Sequence, residues 1–122
     1  MEKPLRGRDI VDRTFEFAVT IVKFTDKISK RSWIGIELSS QILRSGTSIG
    51  ANVEEAQAAE SRADFSHKYN IALKEARESK FWLRLVAAAG VSGSDGIEAL
   101  IKEADEISRI IGRIIINTKK RI

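Results

Sequence analysis

The sequence predicts an all-α protein, an antiparallel up-down-up-down four-helix bundle. Three observations predict it. Apolar residues recur three or four apart along nearly the whole chain, the single proline is Pro4, and no segment alternates as a half-buried strand would. The loops between the periodic segments are short, which makes consecutive helices antiparallel neighbours. At 122 residues, 43% of them apolar, residues 1–122 suffice for one domain around one core.

The first helix is expected over about 9–30, with Asp9 as N-cap and Ile10, Phe17, Ile21, Phe24 and Ile28 on one face. Ser32 and Trp33 break it, and the second helix is expected over about 33–60. Ser61 and Asp64 resemble a capping pair for a third helix, about 62–89, carrying Phe65, Tyr69, Ala72, Ala76, Leu83 and Ala87. The clearest loop is GVSGSDG at 90–96. A fourth helix, about 95–118, follows with Ile97, Leu100, Ile101, Ala104, Ile107, Ile111, Ile114 and Ile115 on a wide apolar face. At 1.5 Å per residue the middle helices should be roughly 40 Å long. The chain has no internal repeat and no low-complexity segment.

Composition excludes several function classes. There is no cysteine, so disulfides and thiolate metal sites are ruled out, and a cytoplasmic location is the expectation. No stretch approaches the roughly 18 uninterrupted apolar residues of a membrane span. A net charge of +4 is compatible with a nucleic-acid partner without demanding one.

The stretch LRSGTSIGANVEEAQ, residues 43–57, sets two glycines and two serines inside the second helix. A phosphate-binding loop would need a preceding strand and a following Gly-Lys-Ser/Thr, and GTSIGAN has neither. At 100° per residue Gln41, Ser45, Ser48, Asn52 and Glu55 form a polar ridge beside Leu38, Ile42, Ile49 and Val53. Gly46 and Gly50 share another face, where a missing side chain lets a second backbone come close; the alternative is a kink in an exposed helix. The third helix carries Ile71, Trp82 and Leu85 away from its main stripe, with Phe81 farther round. A second apolar face with a tryptophan reads as a subunit interface, against the simpler reading that Trp82 caps the edge of its own core.

The pattern Q-x-x-R-S-x-x-S-I-x-x-N in QILRSGTSIGANVEEAQ, followed by ALKEARE and a tryptophan in FSHKYNIALKEARESKFWLRL, resembles the four-helix-bundle proteins encoded within intervening sequences of bacterial 23S ribosomal RNA genes. The resemblance spans roughly residues 8–118. It marks Gln41, Arg44, Ser45, Ser48, Ile49, Asn52 and Glu55 in the second helix, with Glu75, Glu78 and Trp82 in the third. That family is similar in architecture to the accessory protein of diversity-generating retroelements, a pentameric ring that binds nucleic acid and a reverse transcriptase. The resemblance therefore implies a homo-oligomer, a pentameric ring, with RNA or DNA and a nucleic-acid enzyme as partners, and it implies no established activity or cofactor.

Motif and stripe together predict a partly buried hydrogen-bond network in which Arg44 needs a carboxylate, with Glu55, Glu75 and Glu78 available. No nucleophile and base are recognisable in the ridge. The sole histidine, His67, lacks a local metal partner, and paired carboxylates such as Glu54 and Glu55 have basic neighbours suited to salt bridges, so neither a metal nor a cofactor is expected. In the predicted topology the start of the first helix and the end of the fourth share one end. That end gathers Lys3, Arg6, Arg8, Arg13, Arg113, Lys119, Lys120 and Arg121 against Glu2, Asp9 and Asp12, whereas the opposite end has Lys27, Lys30 and Arg31. Repeated around a ring, the larger cluster would make a basic rim suited to sequence-tolerant phosphate binding. The alternatives are basic termini that merely aid solubility, and a structural oligomer whose partners are proteins.

Overall fold

A computed structural model describes residues 7–91 and 96–120, with side chains from Asp9 onward. Four helices form, α1 (Gly7–Ile28), α2 (Trp33–Gln57), α3 (Arg62–Ala89) and α4 (Ile97–Lys120), and no strand occurs among the described residues. Each helix packs on its neighbours in chain order, and α4 closes the bundle against α1 over a smaller contact. None of these helices is long and apolar enough to cross a membrane.

The helix ends differ from the sequence expectation for local reasons. Asp9 lies inside the first turn of α1 and is not an N-cap. The end of α1 tightens at Lys30 and Arg31, whose N–H groups donate to Lys27 and Ile28, and the extended Ser32 then caps α2 by accepting from the Gly35 N–H at 3.0 Å. At the other end α2 stops at Gln57, short of the expected Glu60. Nothing in AQAAE breaks a helix, but Ser61 must be extended to accept the Asp64 N–H, so Ala58 and Ala59 turn out of the helix first. After α3, Gly90 takes the left-handed conformation at φ 69°; its N–H bonds to Ala87 and that of Val91 to Val86, a Schellman ending. The fourth helix begins at Ile97, and Asp95, where it was expected to begin, lies outside the described residues.

The core is the one the periodicity marks. Ile10, Phe17, Ile21, Phe24 and Ile28 of α1 are buried, as are Ile97, Leu100, Ala104, Ile107, Ile111 and Ile115 of α4. Between them lie Ile42, Ile49 and Val53 of α2 and Tyr69, Leu83 and Val86 of α3. The glycines of α2 bring α1 close: a Cβ on Gly46 would meet the Ile21 side chain at 2.9 Å, and one on Gly50 the Thr14 carbonyl oxygen at 3.1 Å. Close approach, not a kink, is their use. Thr14 and Thr25 remain compatible with this seam because their hydroxyls donate back to Ile10 and Ile21 of their own helix.

Tyr69 is the only tyrosine, buried and stacked on Phe65 with ring centroids 4.6 Å apart. Burial raises its pKa, and the smaller opposing effect is the hydrogen bond that Gln57 donates to its oxygen. A phenol held above its ordinary value near 10 contributes stability that is complete below that value and is lost as pH rises through the folded one. The tyrosinate absorbance should therefore appear above pH ~10 and together with unfolding. A reversible titration at the ordinary value in folded protein would mean that the ring is open to water.

Candidate functional site

The polar ridge of α2 resolves into several separate arrangements instead of one partly buried network. Arg44 lies on the surface, its side chain 49% exposed, and bridges to α3: Nη1 donates to Glu75 at 3.3 Å and Nη2 to Glu78. Glu78 also accepts the Trp82 indole N–H at 3.0 Å. The guanidinium has the carboxylates it needs, while Glu55 pairs with Lys68 at 3.0 Å. Deeper in, Ser45 donates to the Gln41 carbonyl and accepts from Ser79 of α3 at 3.0 Å, both serines being fully buried. Ser48 and Asn52 bond within α2, to the carbonyls of Arg44 and Ser48. The Gln41 side chain has no partner among the described residues.

Arg44 is thus half exposed and Ser45 fully buried, and Ser79 was missed. Its signal was present, for Ser79 stands four and seven residues from Leu83 and Ala72 on the apolar stripe of α3. Small residues there let α2 and α3 approach, Ser45 and Ala56 on one side and Ala72, Ala76 and Ser79 on the other, all buried.

The proposed basic end is reduced. Lys3, Arg6 and Arg121 lie outside the described residues, as does the Arg8 side chain. Arg13 is not a free cation: Nε and Nη2 grip Glu103 at 2.7 and 2.8 Å, and Nη2 reaches Glu106 at 2.6 Å. The hydrogen bond to Glu103 is the largest cause of an upward pKa shift that burial opposes, so Arg13 ties α1 to α4. Arg113, Lys119 and Lys120 are exposed on α4, with no carboxylate partner among the described residues. They share an end with the start of α1, since Lys80 of α3 meets Asp105 of α4 and Ser45 of α2 meets Ser79 in antiparallel register. At the opposite end Lys30 pairs with Asp26.

Asp105 also accepts from Arg109, and the bond from Lys80 is the first cause of its lowered pKa. This cluster is structural, closing the α3–α4 seam. His67 is exposed, and no group of three His, Cys, Asp or Glu residues is placed to hold a metal ion among the described residues. Of the expected interface residues, Ile71 and Trp82 are half-buried, and Trp82 packs against the core of its own chain with Phe81 edge-on at 5.2 Å. Leu85 and Phe81 remain exposed.

Comparison with known proteins agrees with this architecture. The chain is similar to a crystal structure from Bacteroides thetaiotaomicron VPI-5482, described as a protein with unknown function from the S23 ribosomal protein family. The two share 40% identity over 89% of this chain and 96% of that one, with a TM-score of 0.81. No curated protein matches. The family model of the 23S rRNA-intervening sequence protein matches residues 7–113, nearly the whole bundle with its α2 ridge and α3 motif, and the chain therefore belongs to the 23S rRNA-intervening sequence protein family.

Proposed function

We propose that the protein is a non-enzymatic cytoplasmic homo-oligomer, a pentameric ring as its resemblance implies. It binds structured RNA or DNA through a basic rim and acts as an adaptor for ribosomal RNA or for a nucleic-acid enzyme. The observation that carries the reading is the trio Arg113, Lys119 and Lys120, exposed without carboxylate partners at the end where α1 starts. Cations left unpaired can exchange counterions for phosphates, whereas Arg13, already neutralised by Glu103 and Glu106, contributes structure. Among the described residues no aromatic side chain stands on α4 beside the trio, which favours backbone contact over base readout.

A salt series of binding constants tests it, with one structured RNA and one duplex DNA. Replacing Arg113, Lys119 and Lys120 with glutamine should weaken both complexes alike and flatten the salt dependence by about 1 in slope for each phosphate no longer neutralised. Replacing Lys27, Lys30 and Arg31 removes the same formal charge at the other end and should do much less. Equal losses would mean that only bulk charge acts. If the wild type binds neither ligand at low salt, the protein-scaffold reading replaces this one.

A further inference from the structure

The outer face of α3 carries an ordered stripe that neither the core nor the basic end uses. Lys74, Arg77, Phe81 and Arg84 follow one another at spacings of three, four and three residues, which keeps them within about a quarter of the helix circumference. All four are exposed, Phe81 at 52%. Lys74, Arg77 and Arg84 have no carboxylate partner among the described residues. Neighbouring acids of α3 and α4 are already engaged: Glu75 and Glu78 by Arg44, and Asp105 by Lys80 and Arg109. Glu98 of α4 edges the shallow cleft that Phe81 and Arg84 share, which still leaves cations in excess among the described residues.

The ring of Phe81 is also braced. It meets Trp82 edge-on with centroids 5.2 Å apart, Trp82 packs against the core, and the indole N–H donates to Glu78 at 3.0 Å. Glu78 is gripped in turn by Arg44 of α2. The bridge between α2 and α3 thus ends on an aromatic ring that is half open to water and set between cations.

We propose that this stripe is a site for single-stranded nucleic acid. One base stacks on Phe81, Arg77 and Arg84 take the phosphates on either side of it, and Lys74 meets the strand farther along. Arg77 and Arg84 stand roughly 10 Å apart along the helix axis with the ring between them, so their long side chains can reach the phosphates flanking a stacked base. A duplex keeps its base faces stacked on one another, and would use the cations without the ring. An acidic amphipathic helix would need a run of apolar residues along the stripe, and Lys74, Arg77 and Arg84 interrupt that run on both sides of Phe81. The inference goes beyond the basic-rim reading, since it assigns a different class of ligand to different residues, and each can fail without the other.

Fluorescence anisotropy with the full-length chain tests it, using a labelled oligothymidylate, an abasic strand of the same length and charge, and duplex DNA. The oligothymidylate should bind more tightly than the abasic strand. Phe81→Ala, at a position exposed enough to leave the helical circular dichroism intact, should weaken the oligothymidylate complex by about tenfold, the order of one lost stack, without changing its salt slope. It should leave the abasic strand and the duplex unaffected, and Phe81→Trp should restore the lost affinity. Arg77→Gln combined with Arg84→Gln should weaken both single strands alike and flatten their salt slope, which checks the stripe should Phe81→Ala not fold. Equal binding of the two single strands by the wild type, or an unchanged oligothymidylate affinity in Phe81→Ala, would overturn the proposal, and the rim would stand if Arg113, Lys119 and Lys120 still govern the duplex. Weakening of the oligothymidylate by Phe81→Ala, with no duplex bound by the wild type, would support the stripe and remove the rim. Failure of the wild type to bind either single strand at low salt would also overturn the proposal and leave this face to an acidic protein.

Discussion

Gly35→Ala should destabilise the protein by roughly 1–3 kcal/mol, although alanine is the better helix former by about 1 kcal/mol. Gly35 is the third residue of α2, where the chain has just turned back from α1, and its N–H is held by the capping Ser32 hydroxyl. A Cβ there would collide with the Ile28 carbonyl oxygen, a backbone atom at the end of α1, and would sit 3.5 Å from the Ser32 hydroxyl. Neither the cap nor the turn can move without disturbing the other. Gly112→Ala in α4 is the control: nothing lies within 4 Å of its Cβ position, so the substitution should stabilise by up to about 1 kcal/mol. Gly46→Ala belongs between them, because its obstacle is the Ile21 side chain, which can give way. Urea unfolding midpoints at constant slope rank the three. A neutral Gly35→Ala would mean that the α1–α2 turn yields easily to an added methyl group.

Much of this was legible in the sequence because a bundle core repeats its signal many times over. Helices α1 and α4 each carry one dominant apolar face, and every core residue expected on α1 is buried. Helix ends were less legible: AQAAE contains nothing that stops a helix, and α2 ends before Glu60 only because Ser61 has to cap α3. The ridge was legible in its residues and not in its depth. Arg44 and Ser45 are adjacent in sequence, and 100° of rotation puts one on the surface with Glu75 and Glu78 and the other against Ser79 in the core. Charge pairing across the bundle was the least legible, since Arg13 reaches acids ninety and more residues away. An exposed stripe of Phe15, Val19 and Val22 could have been found by the spacing that marked the core, but a second apolar period on α1 is hidden beneath the stronger first one.

Ser79→Leu should cost roughly 3 kcal/mol, the upper part of the range for overpacking, and Arg44→Ala less than about 1 kcal/mol. The contrast follows from where each side chain sits. Ser79 is fully buried where α3 meets α2, its hydroxyl 3.0 Å from that of Ser45, with Ala76 one turn away on its own helix. Leucine adds bulk that this small-residue seam can accept only if the helices separate, and their separation would pull Ile49 and Leu83 apart. It also deprives Ser45 of one partner, but the Ser45 hydroxyl keeps the Gln41 carbonyl, so the polar loss is minor. Ser79→Ala isolates that minor part and should cost no more than about 1 kcal/mol. Arg44, by comparison, makes its bridges to Glu75 and Glu78 half in water, where screening leaves an ion pair little net worth. Chemical unfolding of the three variants decides the matter. Should Arg44→Ala prove as costly as Ser79→Leu, the surface bridge is what holds α2 on α3; should Ser79→Leu prove harmless, the seam is not closely packed.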